Sequence, residues 1–215
     1  MGFEAELQRQ HGVDVFDNDV AYRPYSITGD EPGLDSPKLR VGVSGAQGTG
    51  ITTTARSLAM ALELPLLTEV ARCAFEHGFT LGDKGSMKAQ CAMWFSQLFL
   101  EHRAPSFVAD RTVVDAVAHA EVLADLTGDR EDWLIATAMG NATAAAMKDF
   151  TALFYTPIEF ELTFDGVREG DKEFQERLHE KFMGLFERLQ LPYVTVTGTP
   201  DERLDQARRH LSSLM

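Results

Sequence analysis

From Leu39 onward the chain alternates short apolar runs with longer stretches whose apolar positions recur every three to four residues. The short runs at 39–44, 64–68, 106–109, 152–155 and 193–196 read as strands. Helical spacing predicts helices over 52–62, 69–77, 86–102, 112–126, 131–148, 171–189 and 200–213. Strands that alternate regularly with helices imply helical crossovers, and crossovers imply a parallel sheet. The expected fold class is therefore α/β, with a five-stranded parallel sheet between helices. Met87, Cys91, Trp94, Phe95, Leu98 and Phe99 recur at helical spacing and read as a core-facing stripe.

Residues 1–38 break this rhythm. They carry turn formers at Gly29-Asp30-Glu31-Pro32-Gly33 and at Ser36-Pro37, and at most a short helix over 3–10. Two readings stay open for this segment, an extension packed on the domain or a loose tail. The expected division is an acidic N-terminal extension, 1–38, followed by one α/β domain, 39–215.

Composition narrows the class without naming a function. A hydrophobic share of 44% with 25% charged residues suits a soluble globular domain. No apolar run approaches the ~20 residues that span a bilayer, and the start lacks a basic-then-apolar leader. Cys73 and Cys91 both fall in helix-like stretches and read as reduced, buried thiols, so a cytoplasmic setting without membrane partners is expected. The net charge is −13, of which −5 lies in residues 1–38. That balance counts against nonspecific nucleic-acid binding, which needs clustered lysine and arginine. The six histidines are scattered without metal-ligand spacing.

The first loop carries the chemistry. Gly45-Ala46-Gln47-Gly48-Thr49-Gly50-Ile51-Thr52-Thr53 matches the Walker A phosphate loop, with isoleucine where the lysine belongs. A strand precedes it and a helix follows, the setting in which the motif binds phosphate. Its backbone N–H groups can turn inward on phosphate oxygens, and the helix N-terminus adds partial positive charge. Thr52 is placed to put its hydroxyl on Mg²⁺. Ile51 removes the ammonium that reaches the β- and γ-phosphates, so phosphoryl transfer is expected to be slow. Two accounts of Ile51 stay open: lasting loss of catalysis, or a recent change in a site whose Gly50 and Thr52 are intact.

In parallel sheets ligands sit at the carboxyl ends of the strands. There the chain places Thr68-Glu69-Val70-Ala71-Arg72, Asp110-Arg111-Thr112-Val113-Val114-Asp115, Thr156-Pro157, Asp165-Gly166-Val167-Arg168 and Gly198-Thr199-Pro200. This arrangement resembles the P-loop nucleoside and nucleotide kinases, such as thymidylate kinase, the deoxynucleoside kinases and the nicotinamide-riboside kinase type. The resemblance covers about residues 39–213. It implies an ATP- and Mg²⁺-dependent phosphotransferase acting on a nucleoside, nucleotide or similar small acceptor.

The same resemblance assigns roles. Glu69 meets the acceptor hydroxyl, Asp110 holds Mg²⁺ or serves as the base, and Arg111 contacts acceptor or transferring phosphate. Arg168 closes over the phosphoryl group from a lid near 160–172, and Gly198-Thr199-Pro200 borders the adenine. Each residue also has a plainer account. Glu69 and Arg72 can be a surface pair, Asp110 an N-cap for the helix near Thr112, Arg168 a counter-charge to neighbouring acids. Gln90 and Gln97 can read a nucleobase or simply be exposed. Two other functions remain in view: a noncatalytic nucleotide-binding module, or a kinase acting on modified bases in DNA, which the acidic charge disfavours. A homodimer is possible.

Overall fold

The computed structural model describes residues 38–68, 70–71, 74, 78, 85–159 and 172–214. The expectations for residues 1–37, for Glu69 and Arg72, for most of helix 69–77, for Cys73 and for Arg168 with its surrounding lid lie outside the described residues.

Five parallel strands are described: β1 (Arg40–Gly45), β2 (Leu66–Leu67), β3 (Phe107–Asp110), β4 (Ala152–Thr156) and β5 (Val194–Thr195). Their order is β2-β3-β1-β4-β5. The chain leaves β1 towards one edge for β2 and β3, then crosses to the other side for β4 and β5. That reversal opens a crevice at the carboxyl ends of β1, β3 and β4, the place where such sheets hold ligands. Register brings Val43 opposite Asp110 and Gly45 opposite Thr156.

Six α-helices cover the sheet among the described residues: α1 (Ile51–Leu62), α2 (Met87–Arg103), α3 (Val113–Thr127), α4 (Arg130–Ala146), α5 (Lys172–Arg188) and α6 (Pro200–Leu214). Alternation along the strands divides the core in two. Val41, Val43, Ala152 and Phe154 face α1 and α6, where Ala55, Leu58, Ala207 and Leu211 close the layer. Leu153 and Tyr155 face the other helices, packing with Val117, Leu178, Phe182 and Phe186.

Helix starts follow local chemistry. Ser86 Oγ accepts from Ala89 N at 3.2 Å to cap α2, and Asp129 accepts from Glu131 N at 2.8 Å to cap α4. The start of α3 is a reciprocal capping box between Thr112 and Asp115. Pro200 opens α6, a position where its missing N–H costs nothing.

The aromatic stripe of α2 needs a correction. Met87 and Trp94 are buried, and Cys91 and Leu98 pack against the same cluster, but Phe95 is 66% and Phe99 60% exposed. Each follows a core residue by one step, about 100° around the helix, which turns it away from α3 and α4.

Candidate nucleotide site

β1 ends at Gly45, and residues 46–50 turn back into α1. Gly50 stands at φ 87°, a left-handed conformation that side chains disfavour, and a Cβ there would lie 2.9 Å from Arg203 Nη1. A Cβ on Gly45 would collide with the Thr156 carbonyl at 2.6 Å. Glycine is thus demanded at both positions by shape.

The outer carbonyls of the loop are held from four directions. Arg111 Nη1 donates to Gly45 O at 3.1 Å, and Thr156 Oγ1 to Ser44 O at 3.3 Å. Gln175 Nε2 of α5 donates to Gln47 O at 2.7 Å, and Arg203 Nη1 of α6 to Thr49 O at 2.5 Å. Thr49 and Thr156 join hydroxyls at 2.8 Å. These bonds hold the carbonyls of the strand end and loop on framing side chains, and a loop of this kind binds an anion through its N–H groups. Gln47 Oε1 is buried without a hydrogen-bond partner among the described residues.

At the carboxyl end of β3, Asp110 is 4% exposed and accepts from Thr52 Oγ1 at 3.2 Å. Burial pushes its carboxyl up, while the Arg111 guanidinium and the Thr52 hydroxyl pull it back. The capping role expected as the plainer account of Asp110 belongs instead to Thr112 and Asp115. Asp110 faces the phosphate loop.

Asp115 is buried and accepts from Ser44 Oγ at 2.6 Å, Thr112 N at 2.9 Å, Arg111 Nη1 at 3.1 Å and Gly45 N at 3.4 Å. Burial raises its pKa against the pull of Arg111 and these donors. One carboxylate therefore locks the end of β1 to the start of α3. Arg111 adopts φ 73°, and that turn brings its guanidinium back over Gly45 and Asp115. Its described contacts run to the loop frame.

Gln97 is buried and donates to Glu101 Oε1 at 2.9 Å and to Arg111 O at 3.1 Å. Its amide supports the Asp-Arg turn, so the alternative of exposure does not hold; Gln90 is likewise buried. Glu101 also accepts from Val113 N at 3.2 Å, and its Oε2 is buried without a hydrogen-bond partner among the described residues. Burial pushes Glu101 up to about 8, against these two donors. His119 is half-buried with Nδ1 2.8 Å from Asp115 O, and desolvation, with the nearby Arg111 charge, lowers it to about 4.

Ile51 is 4% exposed and joins the layer of Val41, Val43, Ala55, Leu58 and Phe154. It is a core residue at the mouth of the loop.

Sequence reasoning missed Arg203, Glu159 and Gln175. Glu159 accepts from Arg203 Nη2 at 2.6 Å and from Gly198 N at 3.1 Å with both oxygens. Arg203 lies on an amphipathic helix rich in charge, so nothing local separates it from solvent-facing arginines such as Arg208. Only the docking of α6 against the loop does so. Pro200 and Thr199 sit where expected after β5, with Thr199 and Glu202 exchanging reciprocal hydrogen bonds at the start of α6.

Among the described residues no helix is long and apolar enough to cross a membrane, and no group of three His, Cys, Asp or Glu is placed to hold a metal.

A family model described as an AAA domain matches residues 40–203. Deoxyadenosine kinase from M. mycoides, solved with products dcmp and dcdp, superposes with a TM-score of 0.60 at 15% identity, over 82% of this chain and 100% of that one. NadR protein in complex with NR superposes with a TM-score of 0.63 at 19% identity. That match covers 82% of this chain but 50% of NadR, so the chain spans about half its length. YorR protein from Bacillus subtilis, in complex with phosphorylated GDP, gives 0.51 at 15% identity over 80% of this chain and 95% of that one. No curated protein sequence matches the chain significantly. At these identities the likenesses speak to fold. Taken with the strand–loop–helix at Gly45–Thr52 and its neighbour Asp110, they place the chain in the AAA domain family, with the fold of the P-loop nucleoside and nucleotide kinases.

Proposed function

We propose that the chain is a nucleotide-dependent phosphotransferase that uses Mg²⁺–ATP and a small nucleoside or nucleotide acceptor, slowed by Ile51. In this reading residues 39–215 form the kinase domain and 1–38 an acidic extension. The observation that carries it is the meeting of Thr52 and Asp110 at 3.2 Å beside a loop whose carbonyls at Gly45, Gln47 and Thr49 are held by framing side chains.

A hydroxyl and a carboxylate side by side are hard oxygen donors, and together with ligand phosphates they suit Mg²⁺, which takes few protein ligands in nucleotide sites. Bound there, Mg²⁺ supplies neutralisation of the phosphate charge. The protein's part is positioning. The loop N–H groups and the N-terminus of α1 hold the phosphates, and the Asp115 lock keeps Gly45 and Arg111 in register with them. Asp110 orients the donor set, and its raised pKa also suits it to accept a proton from an acceptor hydroxyl. Glu69, Arg168 and Gly198-Thr199-Pro200 take the acceptor, lid and adenine roles that the kinase resemblance implies.

The test is a screen of the Ile51→Lys protein against nucleosides, nucleotides and DNA, reading ADP release. Acceptor-dependent turnover that falls ~10²-fold on Asp110→Asn is expected. ADP release that ignores both acceptor and Asp110 overturns the proposal.

One observation favours a second reading, a noncatalytic nucleotide-binding module. Ile51 is integrated into an apolar layer rather than stranded at the loop surface. On that reading Ile51→Lys binds ATP more tightly yet turns over no acceptor.

A further inference from the structure

We infer that Arg203 and Glu159 form a positioning pair that couples the phosphate loop to the Gly198 loop, so that a nucleotide's two ends are bound cooperatively. The inference rests on the nucleotide-site reading above.

Three segments distant in sequence meet at this pair. Arg203 enters from the first turns of α6 and is 2% exposed. Its Nη1 donates to Thr49 O in the phosphate loop, and its Nη2 donates to Glu159 Oε2 just beyond β4. The Glu159 carboxylate accepts Gly198 N with both oxygens at 3.1 Å. Gly198 stands at φ 88°, so the turn it makes before α6 is sharp and depends on that acceptor for its orientation. The path from Thr49 to Gly198 therefore runs through one guanidinium and one carboxylate.

The chemistry of the pair suits this task. A guanidinium offers donors in a rigid fork, so it can fix two acceptors at a set angle where an ammonium cannot. Glu159 is 26% exposed at its side chain and remains able to respond to what enters the crevice. The pair also sits against Gly50, where Arg203 Nη1 fills the space a Cβ would take. Arg203 thus packs against the residue immediately before α1. In a chain with isoleucine at position 51, a loop held rigid from behind does more of the work of keeping N–H groups on the phosphates.

The full chain is titrated calorimetrically, in the presence of Mg²⁺, with ATP and separately with inorganic tripolyphosphate. Tripolyphosphate needs only the phosphate loop, whereas ATP engages both loops. Wild type is expected to prefer ATP. Glu159→Gln keeps the side chain's shape but drops its charge, and should lower that preference about tenfold, a loss in the range of one charge-assisted hydrogen bond. Tripolyphosphate affinity should stay nearly constant in that variant. Arg203→Lys should lower the preference and weaken tripolyphosphate as well. The double variant should lose no more preference than the worse single one, because residues acting as a unit are non-additive.

A merely structural pair would weaken both ligands together, and an unchanged ATP preference in folded Glu159→Gln overturns the inference. Equal binding of ATP and tripolyphosphate by wild type overturns the coupling alone. Wild type that binds neither at millimolar concentration overturns the nucleotide reading and the coupling with it. If Arg203→Lys melts early, the preference measured in Glu159→Gln decides.

Discussion

The two flanks of the phosphate loop are built on opposite principles. Towards α3 the end of β1 is framed by buried polar groups: Ser44, Thr112 and Arg111 all converge on Asp115. Towards α1 and α6 the loop's helix begins with Ile51, which sits in an apolar layer with Val41, Val43, Ala55, Leu58 and Phe154, while Arg203 of α6 reaches Thr49 O. The polar flank fixes geometry, since a buried carboxylate with five described donors has one low-energy arrangement. The apolar layer supplies stability but no charge at position 51. The chain thus keeps the shape of a phosphate site while omitting the cation that most such sites add.

The largest effect is expected where the polar flank is cut. Asp115→Ala removes the carboxylate that Arg111 Nη1 contacts and takes one acceptor each from Ser44 Oγ and Thr112 N. Loss of one partner from a buried ion pair costs about 3–5 kcal/mol. Denaturant melts should show a fall of that size and ATP binding should vanish. A fall under about 1 kcal/mol, the range of a surface pair, would show that the frame is not what holds the loop.

Next comes Asp110, the carboxylate proposed to orient the metal. In the Ile51→Lys background, Asp110→Asn should lower turnover ~10²-fold while leaving the melting temperature close to its parent. Asp110 holds Thr52 but caps no helix, so stability and activity should separate. A matching loss in both would assign Asp110 to the frame.

The apolar flank is tested by Ile51→Lys itself, read for binding and stability together. One charge-assisted contact should tighten ATP by roughly tenfold to a hundredfold. Losing part of a buried isoleucine should cost about 1–2 kcal/mol, since the lysine stem covers some of the same surface. Tighter binding with undiminished stability would mean that Ile51 adds nothing to the layer it occupies.

The smallest effect is the pH dependence set behind the polar flank. Glu101 is held near 8 by burial, well above its unfolded value of 4.5. The folded state therefore binds the extra proton, and stability falls as pH rises towards 8. His119 works in the other sense: its folded value of about 4 lies below 6.5, so its contribution is lost as pH falls through that interval. Between about pH 6.5 and 8 only Glu101 of these two is expected to act. Glu101→Gln should flatten the decline in melting temperature over that window and melt higher than wild type at pH 8. A slope that persists in the variant would place the titrating group elsewhere.

Much of this was legible in the sequence, for physical reasons. Strands and helices impose periods of two and 3.6 on apolar residues, so the element order and the parallel sheet follow from pattern alone. A phosphate loop needs glycine at fixed spacing between a strand and a helix, and the eight residues from Gly45 to Thr52 declare it locally. Asp110 stands out as a candidate because strand ends in such sheets line the ligand crevice.

What the chain does not declare locally is which polar side chains turn inward. Asp115, Gln97, Glu101 and Arg203 are ordinary charged or amide residues on helices. Whether each meets solvent or the loop depends on helix rotation and docking across separations of up to 154 residues, as between Arg203 and Thr49. The same holds for Phe95 and Phe99, whose spacing fits a core face that the packing of α2 awards to their neighbours. The sequence by itself determined the fold and the ligand-binding loop, because backbone period and glycine geometry act within a few residues. Only the tertiary structure decided how that loop is held, because a buried hydrogen bond takes its partner from whichever element the sheet order brings alongside.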